Sequence, residues 1–214
     1  MKKSIRPVPA APDNRLQERI LGAAFTAFTE DGYADTSTLD IATRAKVSKR
    51  DLYANFGSKH AVLVACIKSR ADRMRLPPDL PMPCNRQMLA ATLTAFATNL
   101  VRETSHPSVI AAFRLAIAEA TRSPEIAQTL DSTGRAAARR ALLELLASAQ
   151  SSGLIGPGDP AEMAMQFLGL VWETLQVGLL LGVAAAPQPA EAERRAAKAT
   201  AAFMQLHPDP AADR

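Results

Sequence analysis

The chain has 214 residues, 48% of them hydrophobic and 5% aromatic, with a net charge of +4. Nearly half apolar is enough for a real core, and alanine and leucine with few aromatics point to helix rather than strand. Two cysteines without paired spacing (Cys66, Cys84) and three scattered histidines give neither a disulfide framework nor a zinc site.

The charge is unevenly placed. Residues 1–75 carry 14 Lys/Arg against 8 Asp/Glu, whereas residues 76–214 carry 11 against 13. A basic front on a slightly acidic body suits a polyanion-binding head, although a solvated charged face would read the same way. The N-terminal stretch lacks an apolar run long enough for a secretory signal, so the cytoplasm is the expected compartment.

In chain order, residues 1–12 are basic and hold three prolines, which predicts a disordered arm. Asp13 or Asn14 can cap a first helix whose stripe is Leu16, Ile20, Ala24, Phe25 and Phe28, ended by Gly32. Ser37 with Asp40 resembles a capping box for a second helix reaching Ala45. Ala45-Lys46-Val47 makes a turn, and a third helix runs from about Ser48 to Asn55. Ser58 caps a fourth, carrying Val62, Leu63, Cys66 and Ile67 toward Arg75. Leu76 to Pro83 holds four prolines and breaks the chain. A fifth helix spans about 85–104, and Pro107 opens a sixth. Ser123-Pro124 and Asp159-Pro160 are cap-proline pairs that start a seventh and an eighth. A ninth follows Pro187 and Pro189, with Ala192, Ala196, Ala199, Phe203 and Leu206 in register. No strand pattern appears. The expected fold is all-α with about nine helices: a helix-turn-helix domain at 13–57, a larger helical domain at 58–208 reached through the fourth helix (58–75), and a tail at 209–214.

Met163 to Ala186 is nearly uncharged and long enough to span a bilayer. Glu173 near its centre and the lack of Lys/Arg asymmetry at its flanks argue against a membrane and for a buried helix.

Two short helices joined by a three-residue turn are what a helix-turn-helix reader of the DNA major groove needs. Lys49 and Arg50 sit at the start of the second, where side chains reach base edges; Arg can fork onto guanine, and Lys offers a point charge. Thr36, Ser37 and Thr38 lie at the N-terminus of the first, whose free amides suit a phosphate. Tyr53 and Lys59 would reach phosphates on the other flank. Taken singly, each has a plain alternative: Tyr53 half-buried, Ser58 only a cap, Lys49 and Arg50 solvated.

Residues 14–63 resemble the DNA-binding domain of the tetracycline-repressor (TetR) family of bacterial regulators. Phe113 to Ala120, followed by Pro124-Glu125-Ile126-Ala127, and Gln166 to Leu170 also look like the AefR-like C-terminal subgroup. The resemblance implies a nine-helix homodimer that binds a double-stranded DNA operator through helices 1–3, encloses a small-molecule effector with helices 4–8 and dimerises through helices 8 and 9. From residue spacing, neither catalysis nor a cofactor or metal is expected. Carried over, the resemblance places Thr38 on phosphate, Ser48, Lys49, Arg50, Asp51, Ala54 and Asn55 at the groove-facing helix, and Tyr53 and Lys59 on the backbone. The sequence departs from the family at Lys46, where glycine is usual, so a non-glycine residue would hold a strained turn. Asp51 would either accept from a cytosine amino group or orient Arg50; the second is favoured.

The eighth helix is apolar all round, so one side is expected to meet another chain, with Phe167, Leu175 and Leu179 joined by Phe203 and Leu206 of the ninth. Met88, Phe96, Phe113, Met165, Trp172 and Glu173 are the candidate pocket residues, although Met and Phe at helical spacing are more often core. Their scarce charge points to an apolar or aromatic effector. An enzyme would need a nucleophile with a base, a carboxylate pair or a metal cluster, and no such spacing is present. A DNA-organising protein without ligand is the third class; it predicts a tightly filled body.

Overall fold

The computed structural model describes residues 14–71 and 82–208. The expected arm 1–12, the cap at Asp13, the end of the fourth helix, most of the proline-rich stretch and the tail 209–214 lie outside the described residues. The chain is all helical there: α1 Asn14–Glu30, α2 Thr38–Ala45, α3 Lys49–Phe56, α4 Lys59–Ala71, α5 Arg86–Thr104, α6 Pro107–Ala118, α7 Pro124–Thr129, α8 Ala136–Ser151, α9 Pro160–Trp172, α10 Leu175–Leu181 and α11 Pro189–Leu206. Eleven helices replace the expected nine because two elements are interrupted. A π-helical turn, Leu130–Arg135, stands between α7 and α8. The apolar eighth element breaks at Glu173, whose φ of 42° no helix can hold, into α9 and α10. Among the described residues no single helix is long and apolar enough to cross a membrane; α9 and α10 pass only together and are bent by 55°.

The chain divides into two compact units, residues 1–66 and 67–214, with the division inside α4 between Cys66 and Ile67. In the first, Ile20, Ala24, Ala27 and Phe28 of α1 share a core with Ile41, Ala42 and Leu52 of the short helices and Val62, Leu63 and Cys66 of α4. Burial pushes the Cys66 thiol up to about 12, which makes it an inert core group.

The second unit is built on α5, α8, α9 and α11. Leu89, Leu93, Phe96, Leu142, Leu146, Phe167 and Phe203 form its centre. Arg86 closes one end by donating to the carbonyls of Leu154, Met204 and His207 at 2.5–3.1 Å. Asn85, His106 and Asp159 cap α5, α6 and α9 through their side chains. Ser123 takes the N-cap position of α7, but its hydroxyl makes no capping bond there.

Candidate nucleic-acid interface

The two short helices of the first unit begin with the same device. Ser37 accepts from the Asp40 amide at 3.2 Å and donates its own amide to Asp40 Oδ2 at 2.9 Å. Ser48 accepts from the Asp51 amide at 3.0 Å, donates its amide to Asp51 Oδ2 at 3.3 Å, and donates its hydroxyl to the same oxygen at 2.6 Å. Each box satisfies helix-end amides that would otherwise lack partners. The Ser37 hydrogen bonds hold the Asp40 carboxyl below the usual carboxylate range.

This reassigns Asp51. Its Oδ2 is committed to the Ser48 amide and hydroxyl, and no hydrogen bond or ion pair joins it to Arg50. The Ser-x-x-Asp spacing at 48–51 repeats that at 37–40, and it was the sequence signal for this second box.

The turn between α2 and α3 does contain a strained residue. Lys46 is left-handed, with φ 53° and ψ 47°. Arg19 of α1 supports it by donating to the carbonyls of Ala45 at 2.8 Å and Lys46 at 3.0 Å. Nothing in the local sequence of the turn points to Arg19, which lies a helix away.

Three other predicted contacts make structural hydrogen bonds. Thr36 is buried, and its hydroxyl donates to the carbonyls of Gly32 at 2.7 Å and Ala27 at 3.2 Å. Lys59 is half-buried. Its ammonium donates to the carbonyls of Tyr33, Thr36 and Ala34 at 2.8, 2.9 and 3.3 Å and lies 4.4 Å from the Tyr33 ring centroid. Three carbonyls and an aromatic face occupy its three donors, so Lys59 clamps the α1–α2 connection rather than a phosphate. Asn55 likewise turns inward, donating to the Asp51 carbonyl at 2.8 Å and accepting from Gln17 at 3.4 Å. Arg44 is held by Glu30 at 2.6 Å and Asp31 at 2.7 Å.

What remains exposed is a compact set at the start of α3. Lys49 and Arg50 face solvent, and the Arg50 guanidinium makes no hydrogen bond or ion pair among the described residues. Lys49 Nζ lies 5.8 Å from the Tyr53 ring centroid, and the Tyr53 hydroxyl is 3.3 Å from Thr38 Oγ1. Tyr53 itself is 45% exposed. Two hydroxyls beside an ammonium form a phosphate-sized donor set, next to an unengaged guanidinium.

In the second unit the assignments shift more. Phe167, Leu175, Leu179 and Phe203 are buried within this chain's own core, with the Phe167 and Phe203 rings edge-to-face at 5.3 Å. They are therefore not surface residues for a second chain. The stripe of α11 faces α5 and α9, as the Thr94–Thr200 hydrogen bond at 3.1 Å shows. Of that set only Leu206 is exposed. Among the pocket candidates, Phe96 is fully buried in the core, Met88, Phe113 and Trp172 are partly buried, and Met165 is 57% exposed. Glu173 does not serve the Trp172 indole: its carboxylate pairs with Arg195 and Lys198 of α11, each at 3.1 Å. Lys198 and then Arg195 hold it below the usual carboxylate range.

The sequence model for bacterial regulatory proteins of the tetR family matches residues 20–66, and that for the AefR-like transcriptional repressor C-terminal domain matches residues 91–207. The chain is similar to the solved structure of the flavonoid-responsive regulator FrrA, with 30% identity, 92% of this chain and 98% of that one covered, and a TM-score of 0.73. It is also similar to a TetR transcriptional regulator from Agrobacterium tumefaciens, at 29% identity, with 94% and 96% covered and a TM-score of 0.76. A FadR regulator from Bacillus subtilis, solved with stearoyl-CoA, shares the fold at 17% identity, with 87% and 96% covered and a TM-score of 0.65. No curated protein matches the chain.

Proposed function

The chain belongs to the tetR family of bacterial regulatory proteins, and from that premise we propose that it is a cytoplasmic repressor released from a two-fold operator by a largely apolar or aromatic effector. It acts by binding, not by catalysis. The observation that carries this reading is the exposed set Thr38, Lys49, Arg50 and Tyr53 at the start of a doubly capped α3. Arg50 reads base edges, while Thr38, Lys49 and Tyr53 hold phosphate. Residues 13–57 are the reading head, and α4 leads from it into the regulatory body at 58–208.

The homodimer forms through outward faces of α9 and α11 that the core does not use. Met165 and Gly169 of α9 and Ala197 and Ala201 of α11 are exposed there, with Leu206 at the end. Small residues on both helices allow close approach of a second copy. Two heads then read half-sites roughly 34–36 Å apart or a multiple. The likeness to FrrA, a flavonoid-responsive regulator by name, supports an aromatic effector. Effector and operator weaken each other's binding by the same factor.

The test is fluorescence anisotropy with labelled DNA from the region flanking the protein's own gene, with and without flavonoids. Binding to one palindromic segment, released by the ligand, is expected. Equal affinity for scrambled DNA of the same length would sink the specific-repressor reading. Sequence-selective binding that no flavonoid disturbs would sink the effector class alone.

A further inference from the structure

Glu119 is the one buried carboxylate among the described residues, with 6% of its surface exposed. Its Oε2 is fully shielded and meets no hydrogen-bond donor. Every other acid singled out above has its partner: Asp40, Asp51 and Asp159 cap helices, and Glu173 pairs with two cations. The position of Glu119 makes its isolation worse. It is the C-cap of α6, where the helix dipole opposes negative charge. The following helix starts with Pro124, which has no N–H to offer. Its backbone is fixed, with the amide donating to Leu115 at 2.9 Å and the carbonyl accepting from Arg122 at 3.0 Å and Ser123 at 2.7 Å. Of the buried side chains at the α6–α7 connection and the elements packed there, Leu115, Ile126 and Leu130 are apolar, and Ser123 and Thr129 are hydroxyls. A buried carboxylate oxygen without a donor is unfavourable, because it has given up water and gained nothing in exchange.

We propose that Glu119 is the recognition point of the effector site, and that the effector is an otherwise apolar molecule presenting one hydrogen-bond donor, an ammonium or a hydroxyl, to this carboxylate. The inference rests on the effector-responsive reading and narrows it to a chemical class. The carboxylate selects for a donor and repels an anion, and apolar side chains such as Ile126 and Leu130 take the rest of the molecule.

The test uses four probes on one skeleton with the full-length protein: 4-phenylbutylamine, 4-phenylbutanol, 4-phenylbutyric acid and butylbenzene. Binding is read by thermal shift and titration calorimetry. The amine and the alcohol should stabilise the wild type more than the acid and the hydrocarbon. Glu119→Leu should fold with an unchanged or higher Tm, since it replaces an unpaired buried carboxyl by an apolar group. It should bind the amine about tenfold more weakly or worse, with the hydrocarbon unchanged. Glu119→Gln, which keeps the shape and an acceptor, should lose the preference for the amine while retaining part of that for the alcohol. A preference for the amine alone identifies a cationic effector, and an equal response to the alcohol identifies a hydroxyl one. The assignment is overturned by the same probe ranking in wild type and both variants, by no stabilisation from either donor, or by a fall in Tm for both variants without ligand. Those results leave operator binding and release by flavonoids, tested separately above, untouched.

Discussion

In the first unit, residues up to Cys66, short helices are held at their ends by side chains: two Ser/Asp boxes, Arg19 on the turn, Lys59 on the α1–α2 connection. In the second, long helices are held along their lengths by apolar contact, and polar groups act mainly where a helix stops, as Arg86 and the Glu173 cluster do. A side chain that satisfies a backbone group is committed, and is then no longer available to a ligand. The candidate DNA surface of the first unit is therefore found by subtraction. Lys59, Thr36, Asp51, Asn55 and Arg44 are engaged internally, and Lys49, Arg50, Tyr53 and Thr38 remain. In the second unit Phe167, Leu175, Leu179 and Phe203 are likewise taken up by the core, and Glu119 is left with a buried carboxylate oxygen that nothing engages.

The contrast breaks most visibly at Phe203. Phe203→Ala should cost about 3–5 kcal/mol, seen in thermal or denaturant unfolding, because it opens a cavity in the core. Leu206→Ala, three residues on and exposed, should stay within about 0.5 kcal/mol. A folded monomer produced by Phe203→Ala would return that residue to an interface.

Lys59→Met should destabilise the protein by about 1–3 kcal/mol, because carbonyls of the α1–α2 connection lose their donor. The salt dependence of DNA binding should keep its slope, whereas a lost phosphate contact reduces it by roughly 0.9. A flattened slope with unchanged stability would put Lys59 on the DNA after all.

Arg50→Ala sharpens the other side of the comparison. It should leave unfolding unchanged and cost ~1–3 kcal/mol of discrimination between the operator and single-base variants. An unaltered preference profile would move Arg50 to phosphate or solvent.

Ser48→Ala should cost about 1 kcal/mol of stability through loss of the α3 cap, measurable by denaturant unfolding. The smallest effect concerns Glu173. Its carboxyl is held low by Lys198 and Arg195, so its contribution is present above the ordinary carboxylate range and is lost as pH falls through the lowered value. Partial exposure keeps that contribution small. Glu173→Gln should remove this part of the acid-side loss in a pH series of melting temperatures, and an identical series would show that the pair contributes nothing.

How much could be read beforehand differs between the units for the same reason. Caps, prolines and glycines act locally, within about four residues, so Ser37–Asp40, Pro107 and Asp159-Pro160 could be placed from the chain alone. The clamp roles of Arg19 and Lys59 could not, because their carbonyl partners lie 23 to 27 residues away.

The amino-acid sequence by itself determined the helical class, the helix-turn-helix with its basic start, and most helix boundaries. These follow from periodicity and from backbone chemistry that needs no distant partner. Only the tertiary structure decided which apolar stripe faces the chain's own core, where the eighth element bends, which cations are already engaged and which carboxylate is left alone. An apolar side chain has no direction written into it, and a charge declares its partner only when the fold brings one within hydrogen-bonding distance.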